Sequence, residues 1–341
     1  MQGNKIANQD WGIYSGYYLD ENKLKKSASG GGATALSEQI IKRGGIVFGV
    51  IYSDDFRRAE YAMASTMEEL ERFKGSKYIH AKPQILYQEK YRLVYEIVGE
   101  KLNEGFEVLF VGLGCDVGAV CKYLAVHSID CSSLFTVDLI CHGTPSDLVM
   151  HSYIDDLEKK YKSKLIDFTV RYKKIGWVPP YIRAEFENGK YYEILFAKSD
   201  YGHAFNIVSR VPCYSCQFKG ENHQSDLTIG DYWGIDSTME NYHPDGVSLF
   251  IPHTQKGKEL INCLDLSIFR ISNADYQLAM ENNPMYLRSK LKDEKRDTFE
   301  ENIRIKGLRA AVIDYYGIYR YFINQLNLKS LIDSLWYKMK H

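Results

Sequence analysis

Strand-like and helix-like segments alternate through the first half of the chain, and this restricts the fold more than any other feature. Trp11 to Leu19 reads as an edge strand, and Ala33 to Arg43 carries Ala35, Leu36 and Ile40 at helical spacing. Gly44-Gly45 stops that helix, and the β-branched run Ile46 to Tyr52 follows as a strand. Tyr87 to Leu102 reads as a second helix, with Leu93, Ile97 and Val98 on its apolar face. Gly105 then leads into the short buried strand Glu107 to Val111, the helix Val117 to Val126 and the strand Ser133 to Ile140. Such βαβ units predict an α/β fold, a mainly parallel sheet with helices on both faces.

Beyond Pro145 the texture changes. Leu148 to Lys160 has the spacing of an amphipathic helix. Leu165–Tyr172, Tyr181–Glu187 and Tyr191–Leu195 read as an antiparallel meander, with Asn188-Gly189 as a hairpin turn. Leu227–Gly230 and Val247–Ile251 are further short strands, and the C-terminal stretch is helical and tyrosine-rich. The expected organisation is a core over 1–146, a meander and Cys-x-x-Cys region over 147–284 that completes it, and a helical tail over 285–341. In the tail, Tyr315, Tyr316, Tyr319, Tyr321, Phe322 and Trp336 alternate with lysines. Packing onto the body is the default expectation there, and a partner- or membrane-surface helix the sharper one.

Charge and composition exclude several classes. The 341 residues carry 43 Lys plus Arg against 44 Asp plus Glu, a net charge of −1, so no general nucleic-acid or anionic-membrane binder is expected. With 45% hydrophobic and 26% charged residues the chain can bury a core without disulfide staples, as two domains or one large domain with an appendage. Residues Met1 to Gly12 lack the pattern of a signal peptide. The longest apolar stretch, Val108 to Val120, is interrupted by Asp116 and too short to span a bilayer. A soluble cytoplasmic protein with reduced thiols is expected.

Four of the seven cysteines stand out. Cys115 and Cys141 directly follow predicted strands, at the carboxyl edge where open α/β folds place their ligands. Cys213 and Cys216 form a Cys-x-x-Cys, a spacing that lets two sulfurs reach one metal from a single turn. Four thiolates from three segments suit either an iron–sulfur cube or structural zinc. A thioredoxin-like redox pair lacks its strand-to-helix setting here, and simple burial is the bland alternative for each thiol. That bland reading is adopted for Cys121, Cys131 and Cys263.

Several runs resemble the coenzyme F₄₂₀ hydrogenase/dehydrogenase β-subunit family, in order from Trp11 to Arg296. They are Ser27-Ala28-Ser29-Gly30-Gly31, Gly75-Ser76-Lys77-Tyr78, Asp138 to Ser146, Lys173 to Trp177, Pro212 to Cys216, and Ser225 to Gly234. The resemblance implies an iron–sulfur flavoprotein that passes electrons between a 4Fe-4S cluster and FAD, with Cys115, Cys141, Cys213 and Cys216 as cluster ligands. Members of the family reduce or oxidise F₄₂₀, relatives reduce a chlorophyll derivative, and many bacterial ones sit among surface-polysaccharide genes. Three departures accompany it. No cysteine precedes Cys115, so the family's N-terminal ferredoxin-like module is absent, which implies a separate carrier such as ferredoxin. The family's Gly-Thr-Pro-Cys-Gln is replaced by Gly112-Leu113-Gly114-Cys115-Asp116, and His223 stands where an arginine is common.

Flavin phosphate binding is then expected at Ser27, Ser29, Gly30, Gly31, Gly32 and Thr34, where a helix start offers backbone N–H groups. A serine N-cap with permissive glycines is the plain alternative. Ser76, Lys77 and Tyr78 are expected nearby, Lys77 as a cation for the same anion and Tyr78 as an aromatic face. His142 is a candidate donor to a cluster sulfide or the flavin, beside the alternative of a structural histidine. Asp226 and Asp231 are read as turn-capping or loop-orienting groups. The sequence leaves the small-molecule substrate, the direction of turnover and homo-oligomer formation open. The rival functions are a non-redox module with a four-cysteine zinc staple and an accessory electron-transfer subunit inactive alone.

Overall fold

A computed structural model describes residues 11–319 and Tyr321; the expectations for Phe322 and Trp336 fall outside them. Thirteen strands are described: β1 (Tyr14–Tyr18), β2 (Ile46–Tyr52), β3 (Ala59–Ala64), β4 (Ala81–Tyr87), β5 (Lys90–Leu93), β6 (Val108–Leu113), β7 (Leu134–Leu139), β8 (Leu165–Tyr172), β9 (Tyr181–Phe186), β10 (Tyr191–Leu195), β11 (Leu227–Asp231), β12 (Ser248–Pro252) and β13 (Phe269–Asn273). Ten form one sheet in the order β13-β1-β12-β11-β7-β6-β2-β3-β4-β5, and β10-β9-β8 form a separate antiparallel sheet. The centre of the large sheet, β11-β7-β6-β2, is parallel, and antiparallel pairs flank it. The fold is α/β.

Alternation along the central strands explains why both faces are covered. On one face Phe48, Val108 and Phe110 pack with Ile97 and Val98 of the helix Val94–Asn103 and Val117 and Val120 of the helix Gly114–Val126. On the other, Val47, Leu109 and Val137 pack with Leu36 and Ile40 of the helix Gly32–Lys42 and with Leu260 of the helix Gln255–Asn262. Successive residues of one strand thus serve opposite cores. Among the described residues no helix is long and apolar enough to cross a membrane.

Two local readings need correction. β1 lies between β12 and β13, so it is an inner strand rather than an edge. The helix read from Tyr87 begins only at Val94; before it runs the β4–β5 hairpin. Its turn residues Gln88 and Glu89 adopt positive φ (49° and 64°) without the Asn-Gly signal such turns usually show. β3, Ala59–Ala64, is rich in helix-forming alanine and is a strand because it is inserted between β2 and β4. The start of the tail packs on the body: Leu308 and Val312 are buried, and the Tyr321 hydroxyl donates to Asp200 at 2.8 Å.

Candidate functional site

β6 and β7 run side by side in parallel, from Val108↔Leu134 to Leu113↔Leu139. Cys115, in the first turn of the helix Gly114–Val126, and Cys141, just beyond β7, therefore leave the sheet at the same carboxyl edge. Cys213 and Cys216 arrive on a different segment, around the 3-10 turn Val211–Ser215 that Pro212 helps to start. The 141–146 and 207–213 segments are zipped together. Arg210 N–H donates to the Thr144 carbonyl at 2.9 Å, and Pro145 bridges Ser209. Gly143 sits at the crossing with φ of 85°, and a Cβ there would lie 3.2 Å from the Cys213 Cβ. Cys216 N–H donates to Ser289 Oγ at 2.9 Å, and the helix carrying Cys115 presses Gly114 against Phe218, two residues past Cys216.

The four thiols thereby line one small cavity of about 40 Å³, with His80, Asp138, Thr144, Lys219, His223 and Lys290 around them. Cys121, Cys131 and Cys263 are not among its walls. Burial pushes the Cys141 thiol up to about 11, opposed by the nearby Lys219 ammonium and by the Gly143 N–H, 3.3 Å from its sulfur. The Cys115 thiol is pushed up further, by burial first, then by Asp116 and the other three cysteines. His80 Nε2 lies 3.8 Å from the Cys115 sulfur and 3.5 Å from an Asp116 oxygen. Burial lowers the His80 pKa and raises that of Asp116, so both are driven toward neutral forms. The donor set and its enclosure fit a thiophilic cation or an iron–sulfur centre.

A second cavity of about 490 Å³ adjoins the first. Leu113, Leu139, Cys141, Gly143 and Thr144 line both, so one layer of residues separates them. Part of the large cavity's wall is the start of the helix Gly32–Lys42, whose N-cap residue Gly31 (φ 87°) contributes no side-chain cap. The Ser27 hydroxyl donates to Lys23 O at 2.8 Å and that of Ser29 to Val247 O at 2.9 Å, so neither serine acts as N-cap. Gly31, Gly32, Ala33 and Thr34 line the cavity at this helix start; the Gly32 N–H already donates to Ser248 Oγ at 3.1 Å, which leaves the N–H groups of Ala33 and Thr34 as a setting suited to an anion. Gly30 packs behind them: a Cβ there would lie 2.2 Å from Gly16 O and 2.5 Å from Ser248 N. Gly30→Ala is therefore expected to cost about 1–3 kcal/mol, read as a lowered urea midpoint at unchanged slope.

Ser76, Lys77, Tyr78 and His142 also line the large cavity. Lys77 differs from its expected role as a free cation. Its buried ammonium donates to the carbonyls of Arg72, Phe73, Lys74 and Gly75 at 2.6–3.3 Å, which fixes the loop, and burial lowers its pKa to about 7. Tyr78 stacks on Phe205 with ring centroids 5.0 Å apart and meets Phe196 edge-on. Burial lowers the pKa of His142, favouring a neutral imidazole.

Sequence reasoning missed Arg171. It is buried on β8, its guanidinium donating to both Asp231 oxygens at 2.8 and 3.1 Å, to Tyr78 Oη at 3.2 Å and to Ala28 O at 2.9 Å. It also lies 5.8 Å from the Trp233 ring, which stacks on Trp177. Asp231 thus orients a loop through Arg171, whereas Asp226 ties Thr136 to Thr254 away from both cavities. The only advance signal for Arg171 was the Gly-Asp-x-Trp-Gly run that supplies its partner.

Comparison with known proteins covers both halves of this arrangement. Two models of the coenzyme F420 hydrogenase/dehydrogenase family match, the one for the N-terminal part of its beta subunit over residues 13–84 and the one for the C-terminal part over residues 106–275. Among solved structures, a chain of the F420-reducing [NiFe] hydrogenase complex from Methanosarcina barkeri superposes with a TM-score of 0.54 at 18% identity. The match covers 86% of this chain and 92% of that one. No curated protein matches.

Proposed function

The chain belongs to the coenzyme F₄₂₀ hydrogenase/dehydrogenase β-subunit family, and we propose that it is an FAD- and 4Fe-4S-dependent electron-transfer oxidoreductase. The observation that carries this reading is the common wall: Cys141 belongs both to the four-thiol cavity and to the large one. Cys115, Cys141, Cys213 and Cys216 would hold the iron–sulfur centre. The start of the helix Gly32–Lys42 would take the flavin pyrophosphate, with Tyr78 and Trp233 offering ring faces. Bound together, the two groups interconvert two-electron chemistry at a flavin and one-electron steps at iron.

The chain's own residues do the positioning. Lys77 knots the loop Arg72–Gly75 through its carbonyls, Arg171 anchors Ala28 and Tyr78 to Asp231, and Lys219 fixes the Cys141 loop by donating to the carbonyls of Cys141 and Met285, both at 2.5 Å. Val111, Leu139, Ile140, Phe196 and Phe205 give the large cavity apolar walls. A separate one-electron carrier of the ferredoxin kind would exchange electrons with the centre, and a small molecule with the flavin. The test is anaerobic purification. Brown protein containing iron, sulfide and FAD, bleaching on reduction, supports the reading, while a colourless protein with one zinc per chain overturns it in favour of a structural staple.

Metal loading has a predictable pH dependence. The raised thiol pKa values of Cys115 and Cys141 mean that both are protonated near neutrality and must release a proton to each bound metal. In metal-free protein titrated with cobalt(II), apparent affinity is therefore expected to rise from pH ~6 to ~9, by about tenfold per unit for each proton released. A pH-independent thiolate-to-cobalt absorption would contradict burial of those sulfurs.

A further inference from the structure

Besides His80, a second histidine lines the four-cysteine cavity, His223. It is 4% exposed and is fixed on one edge by Asp138, whose Oδ2 lies 2.7 Å from Nδ1. Asp138 is fully buried and in turn accepts from the Thr228 hydroxyl at 2.5 Å, and Thr228 Oγ1 meets His253 Nε2 at 2.7 Å. The His223 ring is near-parallel to those of His253 and Tyr286, with centroids 5.2 and 4.7 Å away. This leaves Nε2 buried and without a hydrogen-bond partner, a state that costs free energy in a folded protein. Four thiols already complete a tetrathiolate set in this cavity, so the spare nitrogen is not needed as a ligand.

We propose that His223 donates a hydrogen bond through Nε2–H to a sulfur of the metal centre, with Asp138 as the group that positions it. The proposal rests on the iron–sulfur reading above. Asp138 fixes the ring by its Nδ1 edge, and Nε2, the buried edge left unpartnered, is the one available to the centre. A donor to sulfur stabilises the more negative, reduced state and raises the reduction potential. His142, by contrast, lines the large cavity and is free for the flavin side.

The test compares wild type, His223→Phe and His223→Gln, each loaded anaerobically and assayed for iron first. Readouts are the midpoint potential in a dye-mediated titration and pulsed EPR of the reduced protein with ¹⁵N-labelled histidine. The expected wild type shows a weak histidine coupling. His223→Phe loses it and shifts to a more negative midpoint at full iron content, and His223→Gln, which keeps an N–H donor, shifts less. An unchanged midpoint in the loaded variants, or a histidine coupling that both substitutions leave unaltered, overturns the donation and leaves the iron–sulfur reading standing. A ligand-strength coupling in wild type overturns it in favour of ligation, and absence of any coupling in wild type does so even if neither variant folds. Wild type without iron sinks both readings, and the metal assay shows this before any variant is compared.

Discussion

Cys213→Ala is expected to lose most of its iron, from about four per chain, while keeping its fold. The sulfur has few structural duties: it meets Thr144 Oγ1 only at 4.0 Å, and the turn that presents it is held by main-chain and Tyr214 contacts. Tyr214 accepts from Ser209 N–H at 2.9 Å and donates to Ile207 O at 3.2 Å, and neither bond involves the thiol. Removing one of four ligands should therefore abolish the cube or leave an iron-depleted remnant with a changed EPR signal, with a circular-dichroism spectrum and urea midpoint close to wild type. Cys263→Ala is the control, since its sulfur accepts from Arg43 and lies outside the cavity. Wild-type iron content in anaerobically loaded Cys213→Ala would refute ligation by this residue.

That four thiols from three segments share one cavity was legible before any coordinates, and the reason is geometric. Two of them follow strands whose apolar runs, Val108 to Val111 and Leu134 to Val137, mark buried parallel neighbours, so their carboxyl ends must coincide at one sheet edge. The other two are local in sequence. The supporting residues had no such signature. Arg171 meets Asp231 across 60 residues, and His223 meets Asp138 across 85. Each looks like an isolated polar residue, and only the packing of the separate β8 sheet against the end of β11, and the parallel pairing of β11 with β7 that brings the 223 loop back, puts the partners together. Lys77 shows the converse. Its setting in Gly75-Ser76-Lys77-Tyr78 suggested a free cation for an anion, yet the chain bends so that its own carbonyls surround the ammonium. The hairpin β4–β5 was hidden because Gln88 and Glu89, ordinary helix formers, occupy its positive-φ turn.

The second large effect is expected at Asp231. Its carboxylate neutralises Arg171, whose side chain is 6% exposed, while Asp231 itself keeps 15%. The asymmetry sets the order of damage. Asp231→Ala leaves a buried guanidinium with only Ala28 O and Tyr78 Oη, and such an uncompensated charge costs about 3–5 kcal/mol. Arg171→Met removes the cation and leaves a carboxylate nearer to water, so the loss is smaller, about 1.5–3 kcal/mol. The double variant Arg171→Met/Asp231→Ala, with neither charge, is expected to be less damaged than the sum of the singles. Urea unfolding of all four proteins measures this as a coupling energy. Strict additivity would show that the pair is not the joint between β8 and β11 that the bidentate geometry describes. FAD occupancy adds a functional reading. Arg171 also holds Ala28 and Tyr78, both in the wall of the large cavity, so both single variants should retain less flavin than wild type at a temperature where they remain folded. Full flavin retention in folded Arg171→Met would mean that the cavity wall keeps its shape without this anchor, and would detach Arg171 from the site.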